Sequence, residues 1–210
     1  MINLVGIMKE LSARRPIFHS EADFQHAFAW AIHKTAPDTD VRLELPLETH
    51  GRQVHVDIWL SRPGASMAIE LKYKTRGLAT RIGQESFHLK DQAAQDLARY
   101  DLMKDVLRLE QLSAAFPSTT GLAVFLSNDS AYWKRPTSPA SVDAQFRIHE
   151  GRELAGTLQW GAGASPGTAR GREEPIRLAG NYRLNWNDYS RVASGSYDLF
   201  RYFAIPVLLS

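Results

Sequence analysis

The stretch that decides the fold is residues 53–74, which read QVHVDIWLSRPGASMAIELKYK. Hydrophobic and polar residues alternate on both sides of a turn at 62–65, and this alternation is typical of β-strands. We therefore predict a β-hairpin with one strand over 53–60 and the next over about 66–74. Residues 41–48 alternate in the same way and predict a further strand before the hairpin.

The position of the turn determines which residues of the hairpin face each other. A turn centred between Pro63 and Gly64 places Asp57 opposite Glu70, with Cβ atoms about 4.5–5.5 Å apart. Two like charges in this arrangement destabilise a sheet. A divalent cation such as Mg²⁺ or Mn²⁺, held by both carboxylates, would remove the repulsion, and the backbone carbonyl of Leu71 can add a ligand.

Basic residues accompany this acidic pair. Lys72 follows two positions after Glu70 and shares its face of the strand, where an ammonium group can act on an attacking water and offset the charge of a phosphate. Lys74 extends the same face. His55 is opposite Lys72 in this register and can bind phosphate or transfer a proton, although a structural histidine fits the position equally well. Together these groups offer what phosphodiester hydrolysis requires.

A third acidic residue is predicted to point inward from a helix. Ser20 and Asp23 resemble a capping box and predict a helix start. The apolar stripe of this helix includes Phe24 and Phe28, and helical rotation places Glu21 on the same stripe. Because burial of an unpaired charge is costly, a carboxylate there is unusual and indicates a functional role.

The segment after the hairpin, residues 75–88, is polar and contains Arg76 and Arg81. We predict a mobile basic loop. A basic loop beside a metal site suits a phosphate backbone, and an ordinary solvated loop explains the composition equally well.

The order of elements predicts an α/β fold, in which a mixed central sheet is flanked by helices. We treat residues 1–210 as one domain, with a core over about 18–127 and a β-rich C-terminal extension over about 130–210. The further elements predicted after the basic loop are a helix over about 89–112 and strands at 121–127, 157–160, 176–185 and 200–208.

Composition narrows the classes of function. The chain of 210 residues contains no cysteine, which excludes disulfides and thiolate zinc sites and fits a cytoplasmic protein. No stretch approaches the roughly 20 apolar residues that cross a bilayer, so no membrane association is predicted. The net charge is only +2, and any nucleic-acid-binding surface must therefore be local.

This arrangement resembles the PD-(D/E)XK nuclease superfamily and its restriction-endonuclease-like core. The resemblance rests on Glu21 in the first helix, Asp57 in the second strand and Glu70-Leu71-Lys72 in the third. Two later segments, 125–133 and 182–190, are similar to sequences in uncharacterised bacterial proteins with this core.

The resemblance implies a role for each of these residues. Asp57 and Glu70 would bind Mg²⁺ or Mn²⁺, Lys72 would act on the water, and Glu21 would assist as a further ligand or orienting group. It implies a magnesium-dependent nuclease that cuts DNA rather than RNA, and a homodimer is compatible with it. Val56 stands where the name-giving motif has proline.

The sequence suggests two other functions, of which one stays open. The first is a catalytically inactive module on the same fold that binds nucleic acid or protein, which the absent proline and the modest net charge allow. The second is an acyl hydrolase that uses Ser165 in the segment Gly163–Gly167. We reject the second, because Pro166 lacks the backbone N–H that a nucleophile elbow requires after its serine.

Overall fold

The structure is a computed structural model that describes residues 2–49, 51–138, 140–193 and 195–208. Its helices are α1 (Leu4–Arg14), α2 (Glu21–Thr35), α3 (Gln95–Ala115), α4 (Ser130–Trp133) and α5 (Pro166–Ala169), with a 3₁₀ turn at Ala144–Phe146. Its strands are β1 (Asp40–Thr49), β2 (Arg52–Arg62), β3 (Ala65–Lys74), β4 (Leu78–Ile82), β5 (Glu85–Leu89), β6 (Thr119–Ser127), β7 (Glu153–Leu158), β8 (Ile176–Arg183), β9 (Asn187–Arg191) and β10 (Leu199–Val207).

The centre of the fold is a six-stranded mixed sheet. Its strand order is β1-β2-β3-β6-β10-β9, and β3 and β6 form its parallel pair. Helix α3 makes the crossover between these two strands, as parallel neighbours require. The predicted α/β class with a mixed sheet flanked by helices is therefore confirmed.

The predicted hairpin has the predicted register near its turn. Arg62 pairs with Ala65, and Ile58 pairs with Ile69. The ladder ends at that last pair, so the expected continuation to Asp57 opposite Glu70 and to His55 opposite Lys72 is not made by strand pairing. His55 instead pairs with Pro46 of β1.

Two hydrophobic layers cover the two faces of the sheet. On one face, Ile69, Leu71 and Tyr73 of β3 pack against residues of α1 and α2 such as Met8 and Phe28. This alternation fixes the orientation of β3, because every second side chain points to the opposite face. The side chains of Glu70, Lys72 and Lys74 therefore leave β3 on the other face of the sheet.

That other face is covered by α3. Ala68 of β3 and Phe125 of β6 lie in one cluster with Leu102, Val106 and Leu109 of α3. The acidic and basic residues of β3 consequently point toward this helix.

The segment 75–88 differs from the prediction. It is not a loop, because β4 and β5 form an antiparallel hairpin there, with Leu78 opposite Leu89. The hairpin is held to the body of the protein by Phe87, which is buried and stacks on His19 with ring centroids 4.4 Å apart. The following helix accordingly begins at Gln95 rather than near residue 89.

The C-terminal part contributes to the central sheet. β10 pairs antiparallel with β6, with Ile205 opposite Ala123, and β9 pairs with β10. β7 and β8 form a separate hairpin, which is tied to α3 because Glu110 accepts hydrogen bonds from the Gly180 N–H at 2.8 Å and the Tyr182 hydroxyl at 2.7 Å. Among the described residues, no helix is long and apolar enough to span a membrane.

Candidate active site

Asp57 lies where β2 and β3 separate. The pairing of β2 with β3 reaches Ile58, the residue after Asp57 in the chain, and does not extend to Asp57 itself. The Asp57 carboxylate replaces the missing strand contact, because its Oδ2 accepts a hydrogen bond from the Leu71 N–H at 2.7 Å. Burial raises the pKa of Asp57, while the Leu71 N–H and the Lys72 ammonium act in the opposite direction. A half-buried carboxylate is thereby fixed between two diverging strands.

A bend in β2 produces this position. Val56 packs in the layer of α3, whereas Ile58 packs in the layer of α1 and α2, so the regular alternation predicted for this strand is broken between them. Opposite the bend, Glu44 of β1 has a left-handed φ of 51°. Gln25 of α2 stabilises the bend, because its Nε2 donates to the Asp57 carbonyl and to Glu44 Oε1, both at 2.7 Å.

Glu70 is the most deeply buried acid of the group. Its side chain lies under α3, and the residue is only 2% exposed. Its Oε1 accepts a hydrogen bond from Arg108 Nη1 at 2.6 Å. Burial raises the pKa of Glu70 to about 9, and the nearby Asp105 adds to the rise while Arg108 opposes it.

Lys72 forms an ion pair with a residue of α3. Its Nζ lies 2.8 Å from Asp105 Oδ2, and Arg108 Nη2 lies 3.2 Å from the other oxygen of the same carboxylate. Burial disfavours the charged ammonium, but the carboxylates of Asp105 and Glu21 outweigh it and raise the pKa of Lys72. Lys72 is therefore a fixed positive charge at neutral pH.

Glu21 points to the end of β3 from the first turn of α2. Its Oε2 accepts a hydrogen bond from the Tyr73 N–H at 2.8 Å and lies 3.5 Å from Lys74 Nζ. The structure thus brings Glu21 and Lys74 to the edge of the acidic group, where Glu21 holds the backbone that follows Lys72.

Negative charge exceeds positive charge in this group. The carboxylates are those of Asp57, Glu70, Asp105 and Glu21, and the basic side chains that contact them are Lys72, Lys74 and Arg108. Burial is the largest cause that raises the pKa of Asp57, Glu70 and Asp105, and repulsion from neighbouring carboxylates adds to it. Raised values of this kind are expected where carboxylates lie together in a partly desolvated site.

The donor set suits a hard divalent cation held by few protein ligands. No group of three or more histidine, aspartate or glutamate side chains is arranged to hold a metal ion within the described ranges. Mg²⁺, however, commonly uses one or two carboxylates and completes its shell with water and substrate phosphate oxygens. Asp57, Glu70 and the Leu71 carbonyl, which lies 3.5 Å from Lys72 Nζ, fit that pattern.

The remaining predicted phosphate-binding residues do not join this group. The His55 side chain is exposed, and only its backbone carbonyl contacts Arg108, at 3.3 Å. Arg76 pairs with Asp91 at 2.9 Å. Arg81 hydrogen-bonds to Gln84 at 2.7 Å within the β4–β5 hairpin.

Ser165 has a structural role. Its side chain caps the short helix α5, since Oγ accepts the Thr168 N–H at 3.2 Å. A helix after this serine was not predicted. Within the described part of the chain, no histidine hydrogen-bonds to Ser165, whose hydroxyl lies 3.1 Å from that of Thr168.

Sequence reasoning missed the residues that surround the acidic pair from other elements. Asp105 and Arg108 come from α3, and Gln25 comes from α2. One signal was available, because Asp105 is an acid on the apolar stripe of α3, three positions after Leu102. Glu21 is likewise an acid on the apolar stripe of α2, three positions before Phe24. Comparisons of the chain with protein-family models, with curated proteins and with solved structures find no match.

Proposed function

We propose that the protein is a magnesium-dependent nuclease with a restriction-endonuclease-like core of the PD-(D/E)XK kind. One observation carries the proposal: the Asp57 carboxylate is fixed between two diverging strands, beside the buried Glu70 and the ion-paired Lys72. The order of elements supports it, because α2 precedes the three-strand meander, and α3 then leads to a strand parallel to β3.

Asp57 and Glu70, together with the Leu71 carbonyl, are the residues that would hold Mg²⁺ or Mn²⁺. The bound ion would polarise a phosphate oxygen and lower the pKa of a water nucleophile. Arg108 would compete with the ion for Glu70, because Arg108 Nη1 already donates a hydrogen bond to Glu70 Oε1 at 2.6 Å. Asp57 needs no rearrangement, since its contact with the Leu71 N–H leaves the second carboxylate oxygen available.

The ion pair of Lys72 with Asp105, at 2.8 Å, favours a charged ammonium, and the raised pKa of Lys72 agrees with this. A lysine that stays charged at neutral pH is not a general base. Its ammonium would offset the charge that develops on the phosphate and would orient the attacking water by donating a hydrogen bond. Asp105 fixes the position of this ammonium, and Glu21 fixes the backbone of the next residue, so both are positioning residues.

The substrate we propose is nucleic acid, and DNA rather than RNA. We also propose that the protein is cytoplasmic. The decisive experiment incubates purified protein with plasmid, linear double-stranded DNA, single-stranded DNA and RNA, with Mg²⁺, Mn²⁺ or EDTA. We expect cleavage that needs the metal and that is lost in Asp57→Asn, Glu70→Gln and Lys72→Met. Glu153→Gln, on the exposed side of β7, is the matched control and should cut like the wild type.

Cleavage that persists in Asp57→Asn would contradict the proposed site. Cleavage that persists in EDTA would contradict the metal.

A specific observation also favours the second candidate, a binding module without catalysis. Arg108 already supplies a counter-ion to Glu70, and Lys72 supplies one to Asp105, so the acidic group is partly neutralised without metal. A binding module would bind labelled DNA equally well in EDTA and in Mg²⁺, cut none of the substrates, and show no Mn²⁺ binding by calorimetry. A nuclease would bind Mn²⁺ and lose this binding with Glu70→Gln.

A further inference from the structure

Arginines from three parts of the chain surround His149, on the side of the sheet that α3 covers. This basic cluster consists of Arg99 in α3, Arg135 after α4, and Arg147 and Arg152 before β7. Backbone hydrogen bonds hold the segments together. The Glu150 N–H donates to the Trp133 carbonyl at 3.0 Å, and the Arg152 N–H donates to the His149 carbonyl at the same distance. The fold therefore fixes the position of the basic cluster.

The cluster contains more positive than negative charge. Arg99 and Arg147 share a single acid, because both pair with the Asp143 carboxylate, at 2.5 Å and 3.1 Å. Arg135 and Arg152 form no ion pair with any acid among the described residues, and Arg152 Nε has no hydrogen-bond partner there. One carboxylate thus faces four guanidinium groups.

The sequence of this region shows the same excess. Residues 133–152 have a net charge of +2, equal to that of the whole chain, from Lys134, Arg135, Arg147 and Arg152 against Asp143 and Glu150. Glu150 is engaged by other groups, since its carboxylate accepts the Trp186 N–H at 3.2 Å and lies 3.8 Å from Arg201 Nη2. The positive charge of the protein is therefore concentrated locally.

The pKa of His149 reflects this concentration. Burial is the largest cause that lowers it, and repulsion from the four arginines lowers it further. Like charges that lie this close destabilise the folded state. Protein surfaces normally intersperse both signs, so a cluster of one sign is expected where an anionic partner binds.

Three members of the basic cluster are accessible to such a partner. Arg135 is exposed, Arg152 is half-buried, and the side chain of Arg147 is 22% exposed. Arg99 is buried against the Tyr132 ring and contributes only its charge. Because a guanidinium group binds phosphate oxygens in a bidentate way, three of them at one surface suit a row of phosphates.

The basic cluster lies next to the proposed active site. Arg99 precedes Asp105 by six positions on α3, which is a rise of about 9 Å. Helix α4, which leads to Arg135, follows the end of β6, where Ser127 pairs with Lys74 of β3. A nucleic-acid strand rises about 3.4 Å per nucleotide, so a few nucleotides connect the two places.

We propose that the basic cluster binds the phosphate backbone of the nucleic-acid substrate, a few nucleotides from the phosphate that is cut. Arg135, Arg147 and Arg152 contact the phosphates. The inference rests on the proposed function, since it gives that substrate a binding surface. It also makes a separate claim, which is that the protein binds nucleic acid through these arginines without metal and without regard to sequence.

The test measures binding of a labelled DNA duplex of about 20 base pairs to the full chain in EDTA, by fluorescence anisotropy at several salt concentrations. We expect binding that weakens as salt rises. The double variant Arg135→Gln/Arg152→Gln should bind about tenfold more weakly. Its slope of log affinity against log salt should be smaller by about 2, because two phosphate contacts are lost.

Two further double variants serve as controls. Arg135→Lys/Arg152→Lys keeps both charges and should restore the salt slope, which separates the role of charge from an effect on folding. Lys9→Gln/Arg14→Gln removes two exposed charges from α1, which packs on the opposite face of the sheet, and should bind like the wild type. Polyglutamate serves as an anionic chain without phosphates.

The phosphate assignment is overturned if polyglutamate binds as tightly as the duplex, if Arg135→Gln/Arg152→Gln binds like the wild type, or if the lysine variant fails to restore the slope. If the duplex binds through the basic cluster but no substrate is cut, the binding surface stands and the nuclease proposal fails. If DNA is cut and Arg135→Gln/Arg152→Gln binds and cuts like the wild type, the nuclease stands and the binding surface fails.

Discussion

The buried Glu70 should make the metal-free protein less stable as pH rises. In the folded state its pKa is about 9, and its ordinary value is 4.5. Between these values the folded protein keeps a proton that the unfolded chain has released, so the free energy of unfolding falls as pH rises. One proton that is kept in the folded state and released in the unfolded state lowers the free energy of unfolding by at most about 1.4 kcal/mol per pH unit.

The perturbation that isolates this effect is Glu70→Gln, which keeps the shape of the side chain and removes its titration. Urea unfolding in EDTA, at intervals between pH 5 and pH 9, gives the free energy of unfolding for both proteins. We expect the wild type to lose several kcal/mol over this range relative to Glu70→Gln. Asp57 and Asp105 remain in both proteins, and their repulsion with Glu70 is lost in Glu70→Gln, so the difference reports the titration of Glu70 together with its coupling to these two acids.

The control is Glu153→Gln, which removes an exposed acid. Its profile should parallel that of the wild type. Parallel profiles for the wild type and Glu70→Gln would refute the reasoning, because they would mean that Glu70 titrates alike in the folded and unfolded states.

Three further substitutions test contacts around the site and in the core. Arg108→Gln removes the group that would compete with a cation for Glu70 and also takes one basic partner from Asp105, so calorimetry should show tighter Mn²⁺ binding, together with lower stability in EDTA. Asp143→Asn breaks the buried pair with Arg99, whose atoms are 2.5 Å apart, and should cost about 3–5 kcal/mol in urea unfolding. Gly121→Ala should cost about 1–3 kcal/mol in the same assay, because its Cβ would lie 2.8 Å from a side-chain carbon of α3.

Each of these substitutions has a matched control elsewhere in the chain. Arg177→Gln removes an exposed arginine of β8 and should leave Mn²⁺ affinity unchanged. Asp188→Asn breaks an exposed pair and should cost at most about 1 kcal/mol. Gly167→Ala adds a methyl group where the nearest atom is 3.8 Å away. Weaker Mn²⁺ binding in Arg108→Gln than in the wild type would contradict the role given to Arg108. If Asp143→Asn and Gly121→Ala are as stable as their controls, the core contacts described above are contradicted.

Local features of the sequence were sufficient to predict the hairpin. The alternation of β2 and β3 and the turn at Pro63-Gly64 depend on near neighbours, and the pairs from Arg62–Ala65 to Ile58–Ile69 follow from them. The end of the ladder could not be predicted in this way. It depends on a bend in β2 that Gln25, from a different helix, stabilises.

The same reason explains why the partners of Glu70 and Lys72 were missed. Asp105 and Arg108 reach the site because α3 crosses between the parallel strands β3 and β6, which is a contact between distant parts of the chain. The sequence predicts a loop in place of the β4–β5 hairpin because each of its strands has only five residues, too few to show a clear alternation.

The central claim is that Asp57 and Glu70 share one divalent cation. Anomalous diffraction from a crystal grown with Mn²⁺ tests it most directly. We expect an anomalous peak at direct coordination distance from a carboxylate oxygen of each residue, with Arg108 moved away from Glu70. A crystal with Mn²⁺ bound elsewhere or absent, and with Arg108 still paired to Glu70, would contradict it.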